Sequence, residues 1–353
     1  MTHARTHAAA IDDNFNREYK LLYNSNLNQA FDQVLYEFDG VLRRYVAFNV
    51  FFLMLCLFEV GFLVVSFTFL MHSLILALGL GAVFFTIFSY FTLKIYFQTK
   101  KPEQIKGIRK RYIEACKSMM EYQEGVIDCH IALASACSKL ANRLHGREYN
   151  LYYFFAPFSS LVPYMERFSC WWHWEDVLYM KELLLQLSVD EHITMVKNQP
   201  TSLQTHAALA NAYVMLSGLY IDPRKMEGYE DDRWIPEGRY DEKTDKRFRA
   251  IAERAIEEFK ILSEYAPDDP WVHSQLAYSY HDLQMPHQEI KEYETIQRLV
   301  PTDRDNLYKL GRLYFQQGFN AKGLRVFEEL KKAHYGRAES LIKFYGSCAY
   351  REF

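Results

Sequence analysis

The chain has 353 residues, enough for two or three domains, and half of them are hydrophobic, with 26 Tyr and 26 Phe. A formal charge of −3 gives no global basic field, so nucleic acid is not an expected partner. The six cysteines (Cys56, Cys116, Cys129, Cys137, Cys170, Cys348) form no C-x-x-C pair, which argues for a reducing compartment and against a metal or redox centre.

Residues 1–13 are short, polar and Ala/His-rich and read as a disordered tail. The first long apolar run begins near Val46, too late for a cleaved signal peptide. Before it, Phe31, Val34, Leu35, Phe38, Val41 and Leu42 recur at helical steps, which predicts an amphipathic helix over 26–44. Its polar side carries Asp32, Glu37 and Asp39. Acidic residues disfavour anionic headgroups, so the expectation is a juxtamembrane helix packed on the soluble part, with 1–44 as tail plus helix.

Between Arg44 and Lys94 the only formal charge is Glu59. A bilayer core of roughly 30 Å takes about 20 residues per crossing, so 45–98 reads as a transmembrane helical hairpin. The crossings fall at about 45–67 and 73–97, with the turn near Met71, His72 and Ser73. Arg43 and Arg44 precede the first crossing. Lys94, Lys100, Lys101, Lys106, Arg109, Lys110 and Arg111 follow the second, and the turn has neither Lys nor Arg. The positive-inside rule then predicts a two-pass integral membrane protein with both termini cytoplasmic. The basic flanks are candidate contacts to the lipid bilayer. Glu59 is expensive at that depth. Its expected role is a hydrogen bond to Ser66, Thr86 or Ser89, or contact with a second copy or a membrane-protein partner. Gly79 and Gly81 would allow close helix contact. Pro102 is expected to open a separate basic helix within 99–126, with Ile105, Ile108, Tyr112, Ile113, Cys116 and Met119 on its apolar side.

The remainder, 127–353, repeats. His273, Leu276, Ala277 and Tyr280 are answered by Leu307, Leu310, Gly311 and Tyr314 at a spacing of about 34 residues, with Tyr293 and Phe327 on the following helices. The order is L-[AG]-x2-Y on one helix, a large aromatic on the next, then a turn marked by Pro301 or Tyr335. This resembles the tetratricopeptide (TPR) repeat family. Upstream, His206, Leu209, Ala210 and Tyr213 belong with Ala255, Phe259 and Leu262, split by a loop-like insertion at about 221–245. His130, Leu133, Ala134 and Cys137 start a first unit, interrupted at about 143–174 by an aromatic-rich segment with Tyr149, Tyr152, Tyr153, Phe154, Phe155, Phe158 and Phe168. The helix 338–350 reads as a cap. The fold class expected is therefore all-α: a TPR-like helical-hairpin solenoid of about four repeats plus a capping helix, attached to the transmembrane hairpin.

No Gly-rich phosphate loop, G-x-S-x-G, H-E-x-x-H or EF-hand pattern appears, and no catalytic residue, metal or cofactor is expected. The run Trp171-Trp172-His173-Trp174-Glu175-Asp176 is a further place to look for chemistry, but neighbouring residues on a helix point in different directions. Its aromatics read as buried, membrane-facing or partner-binding. The resemblance implies a concave groove lined by the first helix of each repeat. The matching candidates are Asn211, Trp271, Ser274, Tyr278, Tyr308, Lys309 and Arg312, with Lys343 at a basic end. Such a groove suits a peptide or helix of a protein partner, apolar and acidic in character. The expected function is a membrane-anchored cytoplasmic scaffold or adaptor. The competing reading is an accessory subunit of a membrane transport or secretion assembly acting through the hairpin.

Overall fold

The structure is a computed structural model. It describes the backbone of residues 2–70, 74–152, 161–225 and 234–349, and side chains within 26–65, 77–152, 161–224 and 234–346. The predicted turn at Met71 to Ser73, and Tyr153, Phe154, Phe155 and Phe158, lie outside the described residues. The chain divides into two compact units, one of residues 1–188 with Trp234–Pro236, the other of residues 189–233 and 237–353.

The first unit opens with α1 (Thr2–Leu70) and α2 (Leu74–Met119). They pair antiparallel, as the contacts Phe31–Tyr112, Phe48–Phe97 and Glu59–Thr86 show. Two expectations are corrected. Residues 2–13 are helical and continuous with α1, because alanine-rich sequence has high helix propensity. Pro102 does not open a new helix but lies inside α2. It is exposed, while the next turn buries Ile105 and Ile108 completely, and that burial outweighs one missing backbone donor.

Both helices are long and apolar enough to cross a membrane, and only 6% of each apolar window is buried in the protein. Gly79 sits where a Cβ would come within 2.6 Å of Leu63 Cδ2, so it allows the two helices to close, whereas Gly81 faces open space. Below the apolar stretch the same helices become a soluble core. Leu27, Phe31, Val34, Leu35, Phe38, Val41 and Leu42 are buried together with Ile105, Ile108, Tyr112 and Cys116. α3 (Ile127–Arg143) joins through the Tyr112 hydroxyl, which donates to the Ala136 carbonyl at 2.9 Å. The short α4 (Arg147–Asn150) is held by a two-pronged Arg147–Asp39 pair at 2.8 and 2.6 Å.

α5 (Val162–Asn198) runs through both units. The helix expected to close the first repeat is part of α5, which meets α3 where the Ser138 and Ser188 hydroxyls lie 3.2 Å apart and then continues into the second unit. His130 to His206 spans 76 residues, more than one 34-residue period, and part of the excess is helix: the run Trp171 to Trp174 stands on α5.

The second unit is a stack of helix pairs: α6 (Leu203–Ser217) with α7 (Glu242–Tyr265), α8 (Pro270–Asp282) with α9 (Pro286–Leu299), and α10 (Arg304–Gln316) with α11 (Asn320–Lys332). α12 (Ala338–Ala349) packs on α10 and α11 and covers Leu307, Leu310 and Leu330. Asp241, Asp269 and Asp303 cap three helix starts with side-chain acceptors. Gly311 is demanded by packing: a Cβ there would meet Val326 at 2.8 Å and Leu341 at 2.9 Å.

One device recurs. His273 Nδ1 faces Glu292 Oε2 at 2.7 Å and its Nε2 faces the Pro267 carbonyl at 2.9 Å. His206 repeats this with Glu258 at 2.6 Å and Pro200 at 2.9 Å. Histidine and glutamate are 19 residues apart in the regular pair and 52 in the split pair. The insertion is therefore 33 residues long, not about 25, because α7 starts at Glu242 and extends ten residues beyond the repeat. His130 is held differently, by the Tyr122 hydroxyl at 3.1 Å.

Candidate partner-binding groove

α8, α9, α10 and Arg337, which leads into α12, line an open cavity of about 480 Å³. Tyr278, Tyr293, Tyr308 and Leu313 give it aromatic and apolar walls, and Lys309, Arg312 and Arg337 bring positive charge. Each cation lies over a ring: Lys309 over Tyr278 at 5.0 Å, Arg337 over Tyr308 at 4.4 Å, Arg312 over Phe344 at 4.7 Å. Lys309 Nζ also donates to the Tyr278 hydroxyl at 3.2 Å. The helical step from Tyr308 to Arg312 puts both on one face of α10. Arg337 arrives from the turn before α12, where Tyr335 donates to Asp305. The acids in the wall are engaged: Glu289 is buried against His281 at 3.1 Å, and Asp305 accepts from Tyr335. Burial, and next the Glu289 charge, push the Tyr293 hydroxyl well above the ordinary phenol range, so it stays a neutral donor.

Of the residues read from sequence, Tyr278, Tyr308, Lys309 and Arg312 meet in this cavity. Trp271 is exposed at the start of α8, edge-on to Phe259, and Ser274 turns its hydroxyl back to the Pro270 carbonyl at 2.8 Å. Asn211 on α6 and Lys343 on α12 are exposed and do not line it. Sequence reasoning missed Tyr293 and Arg337. Tyr293 is visible as the second-helix aromatic, but that position reads as core. Arg337 lies between helices, where periodicity has no purchase.

A second cavity, about 380 Å³, is lined by Tyr220, Tyr240, Phe248 and several acids. Those acids are already occupied: Asp222 binds Arg224, Asp245 binds Arg249, and Asp241 caps Thr244. Asp282 is held above the usual carboxylate range, by burial first and then by Glu289, with His281 opposing.

The basic residues flanking the apolar stretches of α1 and α2 are sorted by the fold. Lys101 is half-buried, 2.7 Å from Asp176 and over the Tyr45 ring at 4.4 Å. Arg109 donates to the Leu183 carbonyl at 3.5 Å, and Arg111 pairs with Glu37 at 2.6 Å. Lys100 pairs with Glu103, Lys110 with Glu114, and Arg44 Nε with the Gly40 carbonyl. Arg43 and Lys106 are exposed. Glu59 Oε1 accepts from the Thr86 hydroxyl at 2.8 Å, while its Oε2 has no hydrogen-bond partner among the described residues.

The aromatic-rich segment has two faces. Tyr149, Tyr152 and His173 are buried, with the Tyr152 hydroxyl 2.7 Å from His173 Nε2. Burial lowers the His173 pKa against the opposing pull of Asp176. Its ring is closed to solvent. Among the described residues no group of three or more His, Cys, Asp or Glu is placed to hold a metal ion.

No family model matches the chain. No curated protein matches it either. Among solved structures it is similar to a thermophilic TPR protein of Thermus thermophilus, with 17% identity over 61% of this chain and 98% of that one, at a TM-score of 0.30. At that score the likeness adds nothing to the fold read from the helices themselves.

Proposed function

We propose that the chain is a membrane-anchored scaffold of TPR-like helix pairs that binds an extended, acidic and aromatic or aliphatic segment of a protein partner. The observation that carries this is the cavity in which Lys309, Arg312 and Arg337 stand over aromatic rings. Cations held over aromatic rings, of which Tyr278 is exposed, present charge and apolar surface together, which suits acidic and apolar side chains side by side.

The anchor is argued from the uncovered α1–α2 pair. Phe51, Phe58, Phe84 and Phe85 are each more than 60% exposed. Soluble proteins rarely leave so continuous an apolar surface in water. Together with the basic flanks, this supports two crossings with both chain ends on the cytoplasmic side. The groove is tested with the purified full chain and fluorescent peptides alternating Asp/Glu with Leu/Phe, read by anisotropy. Lys309→Glu with Arg312→Glu should weaken binding about tenfold or more, roughly the loss expected when close charge pairs are reversed. Unchanged affinity would sink the groove.

A second reading, an accessory subunit of a membrane transport or secretion assembly, draws on Glu59, whose second oxygen is unsatisfied among the described residues. Glu59→Leu that abolishes a hairpin-dependent complex while leaving peptide affinity intact would favour it.

A further inference from the structure

α5 carries three exposed aromatics on one face: Tyr164, Phe168 and Trp171, at steps of four and three residues. They are 69%, 38% and 59% exposed. The other side of the same helix is the reverse, with Ser169, Cys170, His173 and Val177 buried in the first unit. A helix that turns polar and small residues inward and large aromatics outward is not patterned for water on its outer face.

Two contacts fix how this part of α5 lies along α2. Lys101 meets Asp176, and Arg109 meets the Leu183 carbonyl. The contacts are seven residues apart on α5 and eight on α2, so the two helices run in one direction, offset by about 75 residues. Carried back along α5, the offset sets Trp171, Phe168 and Tyr164 at about the heights of Tyr96, Leu93 and Ser89. Those heights belong to the uncovered apolar part of α2, and Lys101 over Tyr45 marks the level at which it begins on α1.

We propose that this stripe is a third membrane contact: Tyr164, Phe168 and Trp171 lie at the boundary of headgroups and acyl chains in the bilayer that α1 and α2 cross. The inference rests on the membrane reading of the preceding section. Tyr and Trp have apolar bodies and polar tips and settle at that boundary. Arg167, exposed beside Phe168, brings a cation to the phosphate level. The occupant is lipid because the stripe continues the uncovered surface of the hairpin at the same height.

The test is tryptophan quenching in the full chain, reconstituted in phosphatidylcholine–phosphatidylglycerol vesicles with brominated acyl chains. Trp171→Phe, checked for unchanged circular dichroism, should reduce the lipid-quenchable emission about twofold, and shallow bromines should quench more than deep ones. Alkaline extraction of the same vesicles is read in parallel. If the protein resists extraction and Trp171→Phe leaves lipid quenching unchanged, the third contact is overturned and the anchor stands. If the protein is extracted, the membrane reading fails and the inference with it. Quenching of Trp171 by aqueous iodide instead of lipid, or protection that grows with protein density, would put water or a second copy on the stripe and overturn it.

Discussion

His206 stands between two groups that only accept. The Pro200 carbonyl faces one ring nitrogen and the Glu258 carboxylate the other, so both bonds form only when the imidazole carries two protons. Burial opposes that charge most strongly, but the Glu258 hydrogen bond, the Pro200 carbonyl and the Glu258 charge together raise its pKa above the ordinary 6.5. A raised folded value sets the sign. The clamp stabilises fully below the ordinary value and is lost as pH rises through the raised one. His206→Ala should cost about 1–3 kcal/mol near pH 6 and clearly less near pH 8, measured by urea unfolding. An equal loss at both pH values would show that the ring acts by packing alone. The three histidines are conspicuous in sequence because they share one repeat position. Their partners are not, since a ruler built on one helix does not say which glutamate on the next helix faces it.

The same limit shows in whole elements. The 34-residue period is legible because Ala277 and Gly311 occupy buried positions, and at Gly311 a Cβ would meet Val326 and Leu341. The helical extensions of α5 and α7 are not, because a period search counts excess residues without saying whether they coil or turn. Turns follow their own rule. The second residue after α8 and after α10 takes a left-handed conformation, at Gln284 (φ 57°) and Gly318 (φ 74°). In both, the next N–H bonds back to a tyrosine carbonyl, Met285 to Tyr280 at 2.9 Å and Phe319 to Tyr314 at 2.8 Å. Glycine suits that backbone and glutamine does not, so Gln284→Gly should stabilise the array by about 1 kcal/mol. A Tm lower than that of the parent would show that the Gln284 side chain contributes more than its backbone costs.

At the scale of the molecule, each unit has its own core, so unfolding should not be two-state. Calorimetry of the detergent-solubilised chain should resolve two transitions. Arg147→Ala, which removes the paired prongs on Asp39, should lower one by about 2 kcal/mol of stability. His206→Ala should move only the other. One merged transition shifted by both substitutions would count against independent units. The boundary is blurred in sequence because it falls inside a helix, where composition and periodicity do not change.

The 24 residues between Ser217 and Glu242 connect helices whose partnership His206 and Glu258 already secure. Closing a longer loop adds only about 0.6 kcal/mol per doubling of its length. A longer connection at this point therefore costs the α6–α7 pair little, and the histidine clamp rather than the length of the loop sets how the two helices meet.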